Sequence, residues 1–282
     1  MALALALAAG VTAVHERDAI GQAGLRRPPW LGVELEPARG EGRGVRVRHA
    51  IRSSPGWNAG LRDGDLILRI EDVATSRPDD VIREVSARAP GTVVRIAVIR
   101  AGTEMSFTAT LADLPDGDQM LRHDKVGAPA PGWKGLSAVA GAMPVALTEL
   151  KGRVVVLDFW ATWCMACRMS APKLTSWQAK FGAQGLSVIG ITDDPVPEAS
   201  QGARSFGMKY AAIGTDPSYT TQRAFGVRAL PTVFIIDKRG VIRDVSVGFD
   251  PRKEAEMEAL LLSLLAEPGP VQPSANAPAA LP

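Results

Sequence analysis

Two cysteines, Cys164 and Cys167, are the only ones in the 282-residue chain. They directly follow an apolar run, Val154-Val155-Val156-Leu157-Asp158-Phe159, and the short segment Trp160-Ala161-Thr162-Trp163. The stretch reads as a buried strand, a short loop and a helix that opens on the cysteines. A disulfide between them would close a very small loop, remove little unfolded-state entropy and make a poor structural staple. A chain that keeps only a Cys-x-x-Cys pair is expected to use it for redox chemistry. Two cysteines cannot complete a four-ligand zinc site, and His15, His49 and His123 are scattered through the chain, so neither a metal nor any other cofactor is expected.

The length points to about two domains. With Lys and Arg at 32 against Asp and Glu at 30, the charge balance argues against nucleic acid as a partner. Residues 1–27 hold an uncharged Ala/Leu run, Ala2 to Val14, and a polar linker. The run is too short to span a bilayer and resembles the apolar core of a signal peptide, without its basic lead. Export to the periplasm or cell envelope is the expectation, with a cytoplasmic location if the run is not a signal. Membrane association is expected only through the N-terminus. Residues 113–135 carry Leu-Pro-Asp-Gly and Ala-Pro-Ala-Pro-Gly breakers and read as a linker between domains. Residues 267–282 are Pro/Ala-rich, aperiodic and expected to be disordered.

Between residues 28 and 112 short alternating strands surround an amphipathic helix with an acidic start, Asp79 to Val85. Ser54-Pro55-Gly56-Trp57-Asn58-Ala59-Gly60-Leu61-Arg62-Asp63-Gly64-Asp65-Leu66-Ile67 resembles the signature of bacterial PDZ domains of the HtrA type. That resemblance implies a small β-rich fold that binds an extended peptide by strand addition. The terminal carboxylate of a C-terminal peptide ligand would meet backbone N–H groups of Leu31, Gly32 and Val33. Val81, Ile82 and Val85 would form the opposite wall.

From residue 136 to 266 strands and helices alternate, and the sequence resembles the thioredoxin family. The motifs are Asp158-Phe159-Trp160-Ala161-Thr162-Trp163-Cys164-Met165-Ala166-Cys167, Pro172 inside the following helix, and Leu230-Pro231-Thr232 at the position of the family's cis-proline. The inserted segment from Asp193 to Phe225 is similar to the TlpA/ResA branch of exported thiol–disulfide oxidoreductases. The implied fold is α/β, a central mixed sheet flanked by helices. The resemblance implies that Cys164, exposed at a helix N-terminus where the helix dipole favours a thiolate, attacks substrate. Cys167 resolves the mixed disulfide. Asp158, a carboxylate in an apolar strand with a raised pKa, takes the proton of Cys167. Pro231 and Leu230 present backbone to a substrate strand, with Thr232 and Trp163 beside them. Gly190 stands where thioredoxins often hold a charged partner for the buried aspartate, so a proton relay through water is expected. Met165-Ala166 replaces the proline-containing pair common in the branch and resembles the C-terminal domain of DsbD-type electron carriers. Residues between the cysteines tune thiolate stability, so the redox potential is left open.

Together these readings predict a two-domain thiol–disulfide oxidoreductase. It would act as a reductase on protein disulfides, draw electrons from an upstream donor protein and use its PDZ domain to recruit a partner. The alternatives are a PDZ scaffold with a redox-sensing thioredoxin-like domain, or a disulfide oxidase or isomerase. The joint presence of Cys164, Cys167, Asp158 and Pro231 favours the enzyme, because a scaffold has no need of all four.

Overall fold

A computed structural model describes residues 27–38, 44–133 and 135–269. The Ala/Leu run and most of the C-terminal tail, from residue 270, lie outside the described residues. Two compact units divide at Pro115 and Asp116.

In chain order the first unit comprises β1 (Pro29–Trp30), β2 (Val33–Pro37), β3 (Val45–Ala50), α1 (Pro55–Ala59), β4 (Leu66–Ile70), β5 (Val73–Ala74), α2 (Pro78–Ser86), β6 (Val93–Arg100), β7 (Thr103–Thr110) and β8 (Ala112–Asp113). The main sheet runs β2-β3-β4-β6-β7, with β5 on β4, and β1 pairs separately with β8. Alternation explains the core: Val45 and Val47 of β3 and Val94, Ile96 and Val98 of β6 point inward and are buried with Ile67 and Ile70. Val81 and Val85 of α2, one helical turn apart, close this core from above. At the other end, Asp65 accepts a two-pronged pair from Arg100 (Nε to Oδ1 2.7 Å, Nη2 to Oδ2 2.8 Å), the geometry in which a buried carboxylate is best satisfied. The short helix α1 falls within the Ser54–Ile67 stretch that carries the PDZ resemblance.

The second unit begins with α3 (Gly117–Lys125), followed by β9 (Ser137–Gly141), a 3₁₀ turn (Leu147–Leu150), β10 (Val154–Phe159), α4 (Met165–Phe181), β11 (Leu186–Thr192), α5 (Val196–Ser205), β12 (Ala212–Thr215), α6 (Thr220–Phe225), β13 (Thr232–Ile236), β14 (Ile242–Val247), a second 3₁₀ turn (Pro251–Lys253) and α7 (Glu254–Ala266). The sheet order is β14-β13-β10-β11-β12-β9. Strands β10, β11 and β12 are parallel, while β9, β13 and β14 run antiparallel to their neighbours. This is the mixed sheet the sequence implies. All six residues of β10 are buried, as expected for a central strand covered on both faces. Val155, Leu157 and Phe159 join one core with Phe225 and Phe234. Val154 and Val156 join the other, with Leu174 and Trp177 of α4 and Leu261 of α7. By the same alternation Asp158 faces the α4 side of the sheet.

The expected linker, 113–135, differs from a linker in the structure. Asp113 pairs in β8, and Asp116 opens α3 with a reciprocal cap in which Gln119 N–H donates to Asp116 Oδ1 (2.8 Å). Arg122 then bonds the Val245 carbonyl and pairs with Asp244 of β14. Gly127 N–H donates to Ile242 O (2.8 Å), Ala130 N–H to Gly240 O (2.8 Å), and Trp133 is buried in the second unit's core. The breakers that suggested a linker instead punctuate a helix and an extended segment added to this sheet. Likewise, Glu267 is tied down by Arg243 Nη1 (3.2 Å), so structure extends into the first residues of the expected tail. No helix among the described residues is long and apolar enough to cross a membrane.

Candidate active site and peptide groove

Cys164 is the N-cap of α4 and Cys167 lies in its first turn, which puts the two sulfurs on one helix face. They are joined in a disulfide, and Cys167 N–H donates to Cys164 Sγ (3.1 Å). The sequence reading expected an exposed Cys164. Its residual exposure is only 4 %, since it lies in a buried cluster with Trp160, Ala161 and Ile213, and Cys167 is fully buried. The exposed surface beside the pair comes from Trp163 (74 %) together with Met165 and Met169. Trp160 is buried packing.

The loop is held by an aspartate that sequence reasoning missed. Asp194 accepts from Thr162 N–H (2.7 Å) through Oδ2, from Thr162 Oγ1 (3.1 Å) through Oδ1, and from Thr192 Oγ1 (2.9 Å) through Oδ2. The signal was available in the pair Asp193-Asp194 directly after a buried strand, where a parallel sheet presents loops at its carboxyl end.

Asp158 is wholly buried, and burial pushes its carboxyl up to about 7, opposed by a hydrogen bond from Tyr210. The Tyr210 hydroxyl donates to Oδ2 (2.9 Å), while Oδ1 is buried without a hydrogen-bond partner. Tyr210 therefore supplies a polar partner for Asp158 on the side where Gly190 carries none. The β10–β11 register sets Asp158 beside Gly190. A Cβ on Gly190 would lie 3.2 Å from Tyr210 Cδ2 and 3.1 Å from Trp160 Nε1, so glycine leaves the room the tyrosine uses. Chain position 210 precedes a four-residue strand and offered little periodicity to read.

The Leu230–Pro231 peptide is cis. Leu230 is half-buried and contributes to the cluster that holds both cysteines. Thr232 departs from its expected place at the substrate: it is fully buried at the start of β13, and its hydroxyl donates to Ala229 O (2.7 Å). Its chemistry is spent on the turn before the proline. Among the described residues no group of His, Cys, Asp and Glu has a metal-binding arrangement.

In the first unit Leu31, Gly32, Val33, Val81, Ile82 and Val85 line one groove of about 260 Å³, to which Leu35 and Leu114 also contribute. Strand β2 lies at the edge of its sheet, so one side of it is open to an added strand. Gly32 has φ of 79°, a conformation glycine adopts at no steric cost, which shapes the turn into β2. Gly56 N–H donates to Leu31 O (2.7 Å) and fixes the loop from below.

The fold and these sites define a PDZ unit followed by a thioredoxin-like unit with a disulfide-bonded cysteine pair at a helix N-terminus. Residues 29–111 match the PDZ domain family model, and residues 126–245 match that of the AhpC/TSA family. The chain thus joins a PDZ domain to a thioredoxin-like domain matched by the AhpC/TSA model. Protein DipZ of Mycobacterium bovis is 29 % identical over 164 residues, 56 % of this chain and 24 % of that protein. Thiol-disulfide oxidoreductase ResA of Bacillus thuringiensis is 29 % identical over 113 residues, 40 % of this chain and 65 % of ResA. A crystal structure of a putative thiol:disulfide interchange protein DsbE from Chlorobium tepidum is 33 % identical, aligning with 50 % of this chain and 98 % of its own at a TM-score of 0.46. The chain spans less than two thirds of the length of the curated relatives DipZ and ResA.

Proposed function

We propose that the protein is a thiol–disulfide oxidoreductase, acting as a reductase on protein disulfides through Cys164 and Cys167. The observation that carries this reading is the Cys164–Cys167 pair capping α4, with a buried carboxylate on the sheet face beneath that helix. In the reduced enzyme the Cys164 thiolate attacks one sulfur of the substrate disulfide. A mixed disulfide forms and the first substrate thiolate leaves. Asp158 then takes the proton of the Cys167 thiol. The Cys167 thiolate attacks Cys164 Sγ, closing the enzyme disulfide and releasing the second substrate thiolate, which is protonated. Two electrons pass to the substrate, and an upstream dithiol protein returns them. Trp163 and the backbone at Leu230 and Pro231 flank the entering segment.

Names borne by the relatives, thiol-disulfide oxidoreductase and thiol:disulfide interchange protein, support the same chemistry. The resemblance of residues 2–14 to a signal core supports a cell-envelope location. Catalysed reduction of insulin disulfides, lost in Cys164→Ser, tests the activity. The equilibrium of the pair against a glutathione buffer tests its direction: a potential well below that of glutathione supports the reductase reading, and one well above it supports an oxidase.

The PDZ unit recruits a protein by binding its C-terminal residues along β2. Ile82 stands at the groove with 55 % of its surface exposed, so replacing it leaves the core intact. Ile82→Glu removes an apolar contact and sets a carboxylate near the peptide's own. Affinity for a peptide with an apolar C-terminal residue is expected to fall about tenfold, measured by fluorescence anisotropy on the full chain. Unchanged affinity would place the peptide elsewhere.

A further inference from the structure

Tyr210 belongs to no motif of the sequence, yet it reaches the one buried carboxylate of the dithiol site. Its hydroxyl donates to Asp158 Oδ2 at 2.9 Å. Its ring packs against the buried cluster that contains Cys164, Cys167, Trp160 and Ile213. The close fit over Gly190 holds the ring in place, since even a methyl group there would press on it. One carboxylate oxygen is thus committed and the other, Oδ1, is buried and unpartnered. We infer that Tyr210 is a positioning residue for disulfide exchange, fixing the Asp158 carboxylate so that Oδ1 is the oxygen that receives and returns the proton of the resolving cysteine. This rests on the oxidoreductase reading and goes beyond it by assigning the partner that orients the base.

The electrostatics agree with that geometry. Burial and the neighbouring Asp158 charge push the Tyr210 hydroxyl well above its ordinary range, so it stays a donor across the working pH. The same hydrogen bond favours the charged form of Asp158 and partly offsets the burial that disfavours it. The elements packed around Asp158 bring few other ionisable groups. β11 places Gly190 and β13 places Val233 beside it, and α4 contributes the cysteines, which titrate only when reduced. No cation pairs with Asp158 among the described residues. Burial is the larger influence on where this carboxyl ionises, and Tyr210 is the side chain that opposes it.

The test compares wild type with Tyr210→Phe, which keeps the ring and removes only the donor. Two readouts are taken on the full chain: the carbon-13 titration of the Asp158 carboxyl, which needs no activity, and the pH dependence of exchange with a small aromatic disulfide. Loss of one charge-assisted hydrogen bond is expected to move both midpoints up by about one pH unit. At pH 7 the ionised fraction of the base, and with it the rate of resolution, falls about fivefold. In an Asp158→Asn background, Tyr210→Phe should leave the exchange profile unchanged. Incorporating 3,5-difluorotyrosine at position 210 strengthens the donor and should move the midpoints down, which keeps the test decisive even if Tyr210→Phe fails to fold. A carboxyl titration that does not move in either variant overturns the inference. Exchange that is absent in wild type, with the carboxyl titration still shifted by the variants, overturns the oxidoreductase reading and leaves the Tyr210–Asp158 coupling standing.

Discussion

Cys167→Ala is expected to arrest exchange at the mixed disulfide. Cys164 still attacks from the N-cap of α4, but no thiol stands one turn along to release it. Turnover should drop by at least about a thousandfold, since the two sulfurs act as one unit whose halves do not substitute for each other. Covalent adducts through Cys164 should accumulate with protein disulfide substrates and appear on non-reducing gels, disappearing with dithiothreitol. The same experiment on Cys164→Ser should trap nothing, because Cys167 is fully buried and does not meet a substrate directly. Adducts formed equally by both variants would mean that the assignment of attacking and resolving sulfurs is wrong.

Asp158→Asn carries the second large effect, and it acts on stability and rate in opposite senses. The folded carboxyl is raised from 3.8 to about 7 because it is buried. Between those values the folded state holds a proton that the unfolded chain has released. Stability therefore falls as pH rises from about 4 to 7, and the full cost is present above 7. The shift corresponds to about 4 kcal/mol. Asparagine keeps an oxygen to accept from Tyr210 and removes the ionisation. Urea titrations of the oxidised protein, read on the transition of the thioredoxin-like unit, should show the variant more stable by about 4 kcal/mol at pH 8.5, with the gap closing toward zero near pH 4. Exchange, by contrast, should slow about a hundredfold at pH 8, where the missing base would be mostly charged. A variant equal in stability to wild type at both pH values would show that Asp158 is not the buried titrating group described above. Carrying a carboxylate that destabilises the neutral-pH fold is reasonable only if its proton is used, which ties the energetic observation to the chemistry.

The parts of the molecule that were legible in its sequence are those whose signals are local. Strand β10 announces itself through six consecutive buried residues, and the cysteines through being the only two in the chain. The PDZ groove residues fall together because the loop, β2 and α2 each carry a recognisable pattern, and the structure gathers all six into one groove. What escaped depends on distant or weak signals. Strand β12 spans four residues, Ala212-Ile213-Gly214-Thr215, too short to show alternation. Helix α3 lies between Pro-Asp and Gly-Ala-Pro breakers, and its packing on β14 is a contact across more than a hundred residues. The place of Thr232 beside the proline points to the substrate, whereas its hydroxyl turns back to its own loop. Tyr210 meets Asp158 across the sheet, 52 residues away in sequence. The clue that did exist was a negative one: glycine at position 190 left space beside the aspartate, and only the fold shows what fills it.

Insulin reduction driven by dithiothreitol, with the full chain as catalyst, tests the central claim most directly. Precipitation of the freed insulin chain should be accelerated by the wild-type protein and not by Cys164→Ser, with both proteins folded. Equal acceleration by the two, or none by wild type after its disulfide has been shown to be reduced, would contradict a redox role for the Cys164–Cys167 pair.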